Sequence, residues 1–423
     1  MNVLVIGSGG REHAICDAFG RSERVKNLFC ANGNAGIARL ATCVDVKPDD
    51  INGLVTLATE KQIDLTFVGG ETSLALGIVD AFEREGMPII GPNQAAARLE
   101  ASKVFAKDFM ARHGVPTARY ANCQNAREAV ETLESGAFGD ADSRVVVKAD
   151  GLAAGKGVVI AANRSASIEA VREMSSLVGS EAAAKIVIEE CLAGKEVSLL
   201  MFADGEDFVL MPPTRDHKRI GEGDTGPNTG GMGTITDSPL LGHDEIVIIT
   251  DLIVEPTLRG CIADGFPFRG ILFLGLMMTA DGPKNLEYNV RFGDPETQAI
   301  LVRLETDLVD ICESMLSGTL SSIDIEWEQG SSACVVLAAK NYPGKPVTGE
   351  VIKGLTEAEM IEGVKIFHAG TARGKSGDLI TAGGRVFGVT AMGENLDAAL
   401  SRAYEAASKI AFDGMQFRRD IGK

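Results

Sequence analysis

Residues 145–161 read VVVKADGLAAGKGVVIA. Two β-branched runs, Val145–Lys148 and Val158–Ala161, flank a glycine-rich loop. The P-loop pattern G-x-x-x-x-G-K-[ST] demands a longer spacer, a hydroxyl after the lysine, and a helix beyond it. Here three residues separate Gly151 from Gly155 and Lys156, Gly157 stands where the hydroxyl should be, and a strand follows. A glycine loop between adjacent strands brings main-chain N–H groups over a triphosphate without side-chain bulk. Gly155, Lys156 and Gly157 are therefore candidate phosphate contacts, and Lys148, at the end of its strand, is a candidate for the α/β phosphates. The competing reading is a mobile hairpin with surface lysines.

Around this loop the sequence predicts a helix over Ser167–Val178 and strands over Ala184–Glu190 and Lys195–Ala203. That is an α+β unit. The first hundred residues differ: predicted strands Val3–Ile6, Lys26–Ala31, Leu65–Val68 and Pro88–Ile90 alternate with predicted helices Arg11–Phe19, Ile51–Glu60 and Ser73–Glu85. Such alternation implies a small open parallel sheet covered by helices. A long helical stretch, Ala95–His113, follows and carries Lys103 and Lys107. Beyond Gly318–Trp327, predicted strands Ser332–Ala338 and Arg385–Thr390 and a helix over Asn395–Ala411 form a compact last region.

The first predicted strand ends in GSGGREHA (Gly7–Ala14). A strand that runs through G-x-G into a helix is an anion site, because unpaired N–H groups point outward there. The dinucleotide fingerprint also needs a third small residue and an acid after the second strand. Glu12 occupies the first position and ANGNAG the second. This argues against NAD and leaves a phosphate-type loop or a tight turn without a ligand.

LEYNVRFGDPETQ (Leu286–Gln298) carries the most specific chemistry. Glu287 and Asn289, two apart on a predicted strand, leave the same face. A carboxylate and an amide oxygen side by side suit Mg²⁺, which takes oxygen ligands and shares its shell with nucleotide phosphates. Arg291 continues that face and puts a guanidinium where phosphoryl charge develops. In VIEECLAGKEV (Val187–Val197), Glu189 and Glu196 are candidates for the amino and hydroxyl groups of adenosine, with the backbone of Leu192 between them. Acidic turn residues are common, so this signal is weak alone. RDHKRIGEGDTGPNTGGMG (Arg215–Gly233) is a long glycine-rich loop of the kind that is functional or disordered. His217 within it reads as structural rather than as a general base.

The bulk numbers bound the function. A chain of 423 residues exceeds one ordinary core. Its net charge of -18 makes nucleic acid or an anionic membrane an unfavourable partner. The eight cysteines lack C-x-x-C spacing and read as reduced core thiols in a cytoplasmic protein. The start enters a strand at once, unlike a signal peptide, and GILFLGLMM (Gly270–Met278) is a buried strand too short to span a bilayer.

VVVKADGLAAGKGV, DHKR…GDTGPNTGGMG and RFGDPETQ, with GSGGREHA, GPNQAAARLEASKVFAKDF, HAGT and TAGGRV, together resemble the glycinamide ribonucleotide synthetase (phosphoribosylamine–glycine ligase) family of ATP-grasp enzymes. The resemblance covers essentially the whole chain. It implies α/β and α+β domains: an N-terminal open parallel α/β sheet over 1–101, an ATP-grasp domain over 102–320 with a lid sub-lobe over about 119–187, and a small C-terminal α+β domain over 325–423. It implies a cytoplasmic, monomeric enzyme of purine biosynthesis that uses ATP and Mg²⁺ (or Mn²⁺) to join glycine to 5-phosphoribosylamine through a glycyl phosphate. It implies Lys103 and Lys148 on the ATP phosphates; Glu189, Leu192 and Glu196 on adenosine; Glu287 and Asn289 on the metal; and Arg291 on the acyl phosphate. Asp216 and Asp294 are implied for the glycine ammonium, and Gly9, Gly10, Arg11 and Glu71 for the phosphoribosylamine.

The chain departs from the family pattern in three places. VGGETSLALG (Val68–Gly77) lacks the usual prolines, Arg215 replaces a Gln, and AKNYPG (Ala339–Gly344) replaces a smaller turn. These leave the acceptor side less defined than the ATP side. The alternatives are a related ATP-grasp ligase with another carboxylate or amine, a non-catalytic nucleotide-binding module, and a Rossmann oxidoreductase.

Overall fold

A computed structural model describes residues 1–152 and 157–423. The first hundred residues form β1 (Asn2–Gly7), α1 (Gly10–Gly20), β2 (Asn27–Asn32), β3 (Thr42–Val44), α2 (Ile51–Glu60), β4 (Leu65–Val68), α3 (Glu71–Ala75), α4 (Ile78–Arg84), β5 (Ile89–Ile90) and α5 (Gln94–Ala101). The five strands are parallel in the order β3-β2-β1-β4-β5. The order reverses at β1, so the crevice beyond the carboxyl ends of β1 and β4 is where such a sheet takes ligands. The third strand was not expected from sequence, being three residues long and partly exposed. The helix expected over Ser73–Glu85 is two helices, broken where Gly77 takes a left-handed conformation (φ +80°).

The next block comprises α6 (Lys103–Arg112), β6 (Tyr120–Cys123), α7 (Ala126–Glu134), β7 (Val145–Ala149), β8 (Val158–Ala161), α8 (Arg164–Val178) and β9 (Ile186–Glu190). Ala95–His113 is thus interrupted at Ser102, which is extended (φ -136°, ψ 114°) and caps α6 with its hydroxyl. The break has a tertiary cause: Asp150, from the glycine loop, accepts from Ser102 Oγ and Val104 N, both at 2.8 Å. Strands in the order β6-β9-β7-β8 form an antiparallel sheet. Val145, Val147, Ile186 and Ile188 pack with Ala129, Leu133, Val171 and Met174 of its two helices. This sub-lobe therefore has a core of its own.

The central block comprises β10 (Lys195–Asp204), β11 (Phe208–Leu210), β12 (Thr214–Asp216), β13 (Arg219–Gly221), β14 (Thr225–Asn228), β15 (Gly233–Thr236), α9 (His243–Ile249), α10 (Glu255–Ala263), β16 (Arg269–Thr279), β17 (Gly282–Asn289), α11 (Glu296–Leu301) and α12 (Leu308–Ser317). The last block comprises β18 (Ser331–Ala338), α13 (Leu355–Glu359), β19 (Val364–His368), β20 (Thr371–Arg373), β21 (Leu379–Thr381), β22 (Arg385–Gly393) and α14 (Leu396–Lys409). These two blocks are not separate sheets. One nine-stranded sheet runs β17-β16-β10-β12-β15-β18-β22-β19, with β11 paired to β10. The join is the antiparallel pair β15–β18, from Gly233 opposite Val335 to Thr236 opposite Ser332. Among the described residues, no helix is long and apolar enough to cross a membrane.

Candidate active site

Glu287 and Asn289 lie on β17, where the sheet is irregular. Gly275 of β16 faces Glu287 and Leu276 faces Asn285, so Leu286 is the extra residue of a bulge. A bulged residue loses its ladder partner and is re-aimed. Its carbonyl accepts instead from Lys148 Nζ at 3.2 Å, which ties β7 of the sub-lobe to the edge strand of the main sheet. Gly275 leaves room for the acid: a Cβ there would lie 3.1 Å from Glu287 Cγ.

The Glu287 carboxylate accepts no hydrogen bond from another described side chain, yet burial fails to raise its pKa. Burial is the largest influence and acts upward, but Lys218, Lys148, Lys103 and Arg291 together hold the group below the ordinary carboxylate range. Asn289 Oδ1 accepts from Arg291 Nη2 at 3.2 Å and keeps a lone pair. Among the described residues no group of three or more His, Cys, Asp or Glu could hold a metal ion. Two protein oxygens beside a ring of cations fit a hard cation that draws its remaining ligands from phosphates and water.

Lys148 also ion-pairs with Glu189 Oε1 at 2.9 Å, and Glu189 Oε2 meets Lys107 Nζ at 3.1 Å. Lys107 was not among the expected site residues. Its signal was its place four residues after Lys103 on one helix face. Burial, then Lys148, brings its pKa down to about 8. Lys103 is likewise lowered, by burial and by Lys148, against the opposing pull of Glu287. Glu196 pairs instead with Lys218 of the DHKR segment. Burial acts to lower the Lys218 pKa, but Glu196 and Glu287 outweigh it and the pKa is raised. Leu192 is half-buried in the turn between β9 and β10. Gly157 is buried, and its carbonyl accepts from Ala149 N at 2.8 Å. Gly155 and Lys156 lie outside the described residues.

Arg291 is fixed from three sides. It donates to Glu100 Oε1 at 2.7 Å and Asn289 Oδ1 at 3.2 Å, and Nε reaches Glu71 Oε2 at 3.3 Å. Glu100, at the C-terminal end of α5 and missed from sequence because the expected helix ran on through it, also accepts from Val290 N at 2.8 Å. Burial resists ionisation of Glu71, but Arg291 and Arg11 bring its pKa down to about 2. Glu71 opens α3 beyond β4 and Arg11 lies in the first turn of α1, so both sit at the parallel sheet's crevice. Arg11 donates to Phe292 O at 3.0 Å and Glu12 Oε1 at 2.7 Å. Glu12 also accepts from Gly9 N at 2.6 Å and fills the space over Gly7 and Gly69. The residue that broke the dinucleotide fingerprint is thus the residue that closes the loop.

The RFGDPE turn meets the glycine-rich segment here. Asp294 accepts from Gln298 Nε2 at 2.8 Å and from Arg11 N at 3.4 Å, and lies 3.5 Å from Arg385 Nη1. Burial opposes ionisation, but Arg385 and Arg11 keep it below the ordinary range. Asp216 is different: burial and then Glu296 push its pKa up, and its buried Oδ1 has no hydrogen-bond partner. Gly231, with φ +109°, lets the backbone pass close against this carboxylate: a Cβ there would lie 2.8 Å from Asp216 Oδ1 and 2.5 Å from Pro295 Cδ. Arg385 from β22 donates to the carbonyls of Gly230 at 2.5 Å and Asp294 at 2.6 Å. Nothing local in TAGGRV marked it, because its role exists only once the last block packs on the turn.

Two of the sequence departures find partners. Arg215 Nη2 donates to Lys423 O at 3.0 Å, and Tyr342 of AKNYPG accepts from Gly230 N at 2.9 Å. His217 is structural, as expected. Nδ1 lies 3.1 Å from Gly233 O, Nε2 accepts from Gly422 N at 3.1 Å, and burial holds its pKa down to about 4.

A parallel α/β sheet, a two-helix antiparallel sub-lobe and a large sheet enclosing a cation-lined carboxylate–amide pair define an ATP-grasp protein. The chain belongs to the phosphoribosylglycinamide synthetase family: the family's N domain matches residues 1–100, its ATP-grasp (A) domain 101–297 and its C domain 332–423. The phosphoribosylamine–glycine ligase of Vibrio vulnificus (strain YJ016) is 48% identical over 430 residues, covering 100% of this chain and 98% of that one. The one from Xanthomonas campestris pv. campestris is 48% identical over 427 residues, covering 100% and 97%. The crystal structure of phosphoribosylamine–glycine ligase from Thermotoga maritima superposes with a TM-score of 0.86 at 37% identity, over 100% of both chains. The biotin carboxylase domain of Hydrogenobacter thermophilus 2-oxoglutarate carboxylase shares the fold, with a TM-score of 0.75 at 17% identity over 98% and 91% of the chains.

Proposed function

We propose that this chain is an ATP-dependent carbon–nitrogen ligase that joins glycine to 5-phosphoribosylamine, giving glycinamide ribonucleotide, ADP and phosphate in de novo purine synthesis. The observation that carries the reading is the β17 face bearing Glu287 and Asn289, with Arg291 two residues past the strand donating to Asn289 Oδ1, ringed by Lys103, Lys148 and Lys218. Full-length family membership supports it. A carboxylate is unreactive towards amines until one oxygen becomes a leaving group, so the first step transfers the γ-phosphoryl of ATP to glycine. The amine then attacks the acyl carbon and phosphate departs. Such a site works by positioning and charge neutralisation, which suits a cluster rich in Lys and Arg.

In this reading Lys103 and Lys148, with Gly155, Lys156 and Gly157, bind the ATP phosphates. Glu189, the Leu192 backbone and Glu196 bind adenosine. Glu287 and Asn289 would hold Mg²⁺ or Mn²⁺, which would supply charge neutralisation at the phosphates. Arg291, locked by Glu100 and Glu71, steadies the acyl phosphate.

The glycine ammonium is assigned to Asp216, whose buried Oδ1 is unpartnered and packs close to Gly231. Asp294 is already engaged by Gln298, Arg11 and Arg385, so we place it as an anchor of the turn. Gly9, Gly10, Arg11 and Glu71 face the phosphoribosylamine at the α1 N-terminus, where the positive end of the helix dipole suits its phosphate. The protein acts in the cytoplasm on small molecules, as a monomer. ADP release is the test, measured with glycine, phosphoribosylamine and Mg²⁺ together and with each omitted. Release must require all three; equal release with another carboxylate, or without the amine, overturns the substrate assignment.

A further inference from the structure

Asp216 ends β12, paired with Thr234, and the segment that follows it to β15 carries Lys218 into the site. Backbone bonds from His217 N to Gly233 O, Met232 N to His217 O and Thr229 N to Lys218 O hold its base, yet little of its own ladder holds its tip. The β13–β14 hairpin has two registered pairs, Arg219 opposite Asn228 and Gly221 opposite Thr225, with an irregularity between them. Gly223, Gly226, Gly231 and Gly233 all take positive φ. A chain with that freedom loses much entropy when fixed, so its position needs another source.

That source is residues 418–423. The Arg418 guanidinium, 2% exposed, donates through Nε and Nη2 to the two oxygens of Asp420, both at 2.8 Å. Its Nη1 reaches Asp224 Oδ1 at 2.7 Å and Arg219 O at 3.1 Å. Asp420 Oδ2 then accepts from Gly223 N at 2.7 Å, and Glu222 Oε1 accepts from Arg419 N at 3.1 Å. Further along, Gly422 N donates to His217 Nε2 at 3.1 Å and Lys423 O accepts from Arg215 Nη2 at 3.0 Å. The buried Ile421 side chain lies where a Cβ on Gly233 would come within 2.8 Å of it. These contacts bracket Asp216 and Lys218 on both sides. The guanidinium's rigid fork suits this task, because it satisfies two carboxylates and a carbonyl in one fixed geometry.

We infer that residues 418–423 form a strap that presets the glycine-rich loop, with Arg418 as a positioning residue for the glycine site. The inference rests on the glycine role of Asp216 proposed above. With the strap loosened, the loop samples many states and the competent one is only fractionally populated, which weakens apparent affinity by that fraction. Asp216 itself is unchanged.

The test uses the full chain with three substitutions: Arg418→Ala, Arg418→Lys and the milder Asp224→Asn, whose side chain is exposed. Hydrogen exchange of the 217–228 peptide is read without substrates, and KM for glycine and kcat are read in the assay. Faster exchange in 217–228 is expected in all three, largest for Arg418→Ala, together with a KM for glycine raised about tenfold or more and a kcat within about threefold of the unsubstituted protein. Added guanidinium should restore the Arg418→Ala KM in part. If Arg418→Ala fails to fold, Asp224→Asn carries the test. Unchanged exchange across 217–228 in the folded variants overturns the strap. Faster exchange with an unchanged KM for glycine overturns its link to the glycine site. A wild-type protein that turns over without glycine overturns the functional reading instead, and leaves the exchange result standing.

Discussion

The ammonium of Lys107 lies 3.1 Å from Glu189 Oε2, with both side chains 2% exposed, on the side of the carboxylate away from Lys148. One acid is therefore shared by two buried lysines, and each lysine limits where that acid can point. Lys107 is further held by Thr117 Oγ1 at 2.7 Å, whose own hydroxyl donates to Asn285 O at 2.6 Å. Replacing Lys107 with Ala removes half the compensation of a buried charge. We expect a loss of about 3 kcal/mol in stability, the lower end for a broken buried pair because Lys148 remains. The KM for ATP should rise as well. Denaturant unfolding and ATP titration together check this; a stability change under about 0.5 kcal/mol, the scale of ordinary surface substitutions, would contradict it.

Glu287→Gln keeps the shape of the β17 face and removes its charge. The Mg²⁺ concentration for half-maximal turnover should rise by more than the ~10-fold that loss of an outer-shell partner costs a metal site. Folding should be affected much less than turnover. Steady-state rates across a Mg²⁺ series decide it, and unchanged turnover at low Mg²⁺ would rule out the metal role.

Gly231→Ala is a sharp probe of the glycine seat. A Cβ there would meet Pro295 Cδ at 2.5 Å and Asp216 Oδ1 at 2.8 Å, from a backbone with φ +109°. Something must shift by a few tenths of an ångström or more, and misplacement on the order of 1 Å costs roughly 100-fold in such sites. The expected outcome is a large fall in kcat/KM for glycine with a small change in KM for ATP. Equal losses for both substrates would move the glycine seat elsewhere.

His13 and His368 make an acid-sensitive joint between α1 and β19. His13 Nδ1 accepts from His368 N at 2.7 Å, and the rings lie 5.4 Å apart. Burial holds both pKa values at about 3, far below the ordinary 6.5. Both groups therefore stay neutral when folded and take up protons on unfolding. Their contribution is fully present above pH 6.5 and is lost as pH falls below it, by up to about 1.4 kcal/mol per pH unit for each histidine. Thermal midpoints measured from pH 7.5 to 5 should fall steeply below 6.5, and a His368→Asn variant should show a shallower slope. A flat profile would contradict the joint.

Much of this site was legible because several of its parts are local. Glu287 and Asn289 share a strand face by alternation alone, Arg291 stands two residues past the end of that strand rather than on it, and Lys148 lies near the end of a strand beside its glycine loop. Glu100, Arg385 and Arg418 were not legible as site residues. Each acquires its role from a partner distant in sequence: Glu100 lies 191 residues from Arg291, and Arg418 lies 194 from Asp224. The break at Ser102 shows the same limit, since helix periodicity runs through it and Asp150 imposes the stop from outside. The bulge at Leu286 was hidden too, because the pattern of β17 alone does not count the residues of β16.

The β15–β18 pairing has a practical consequence. The junction between the central and last blocks falls in sequence near residue 320, where a modular reading would cut. Removing everything from β18 onward would uncover a full row of unpaired N–H and C=O groups along β15, flanked by the buried side chain of Ile235. An uncovered, apolar strand edge is a template for pairing with other chains. The truncated protein should therefore precipitate or form strand-paired aggregates rather than yield a tidy two-part enzyme. For this chain, the last block is a cover on a sheet as much as a domain.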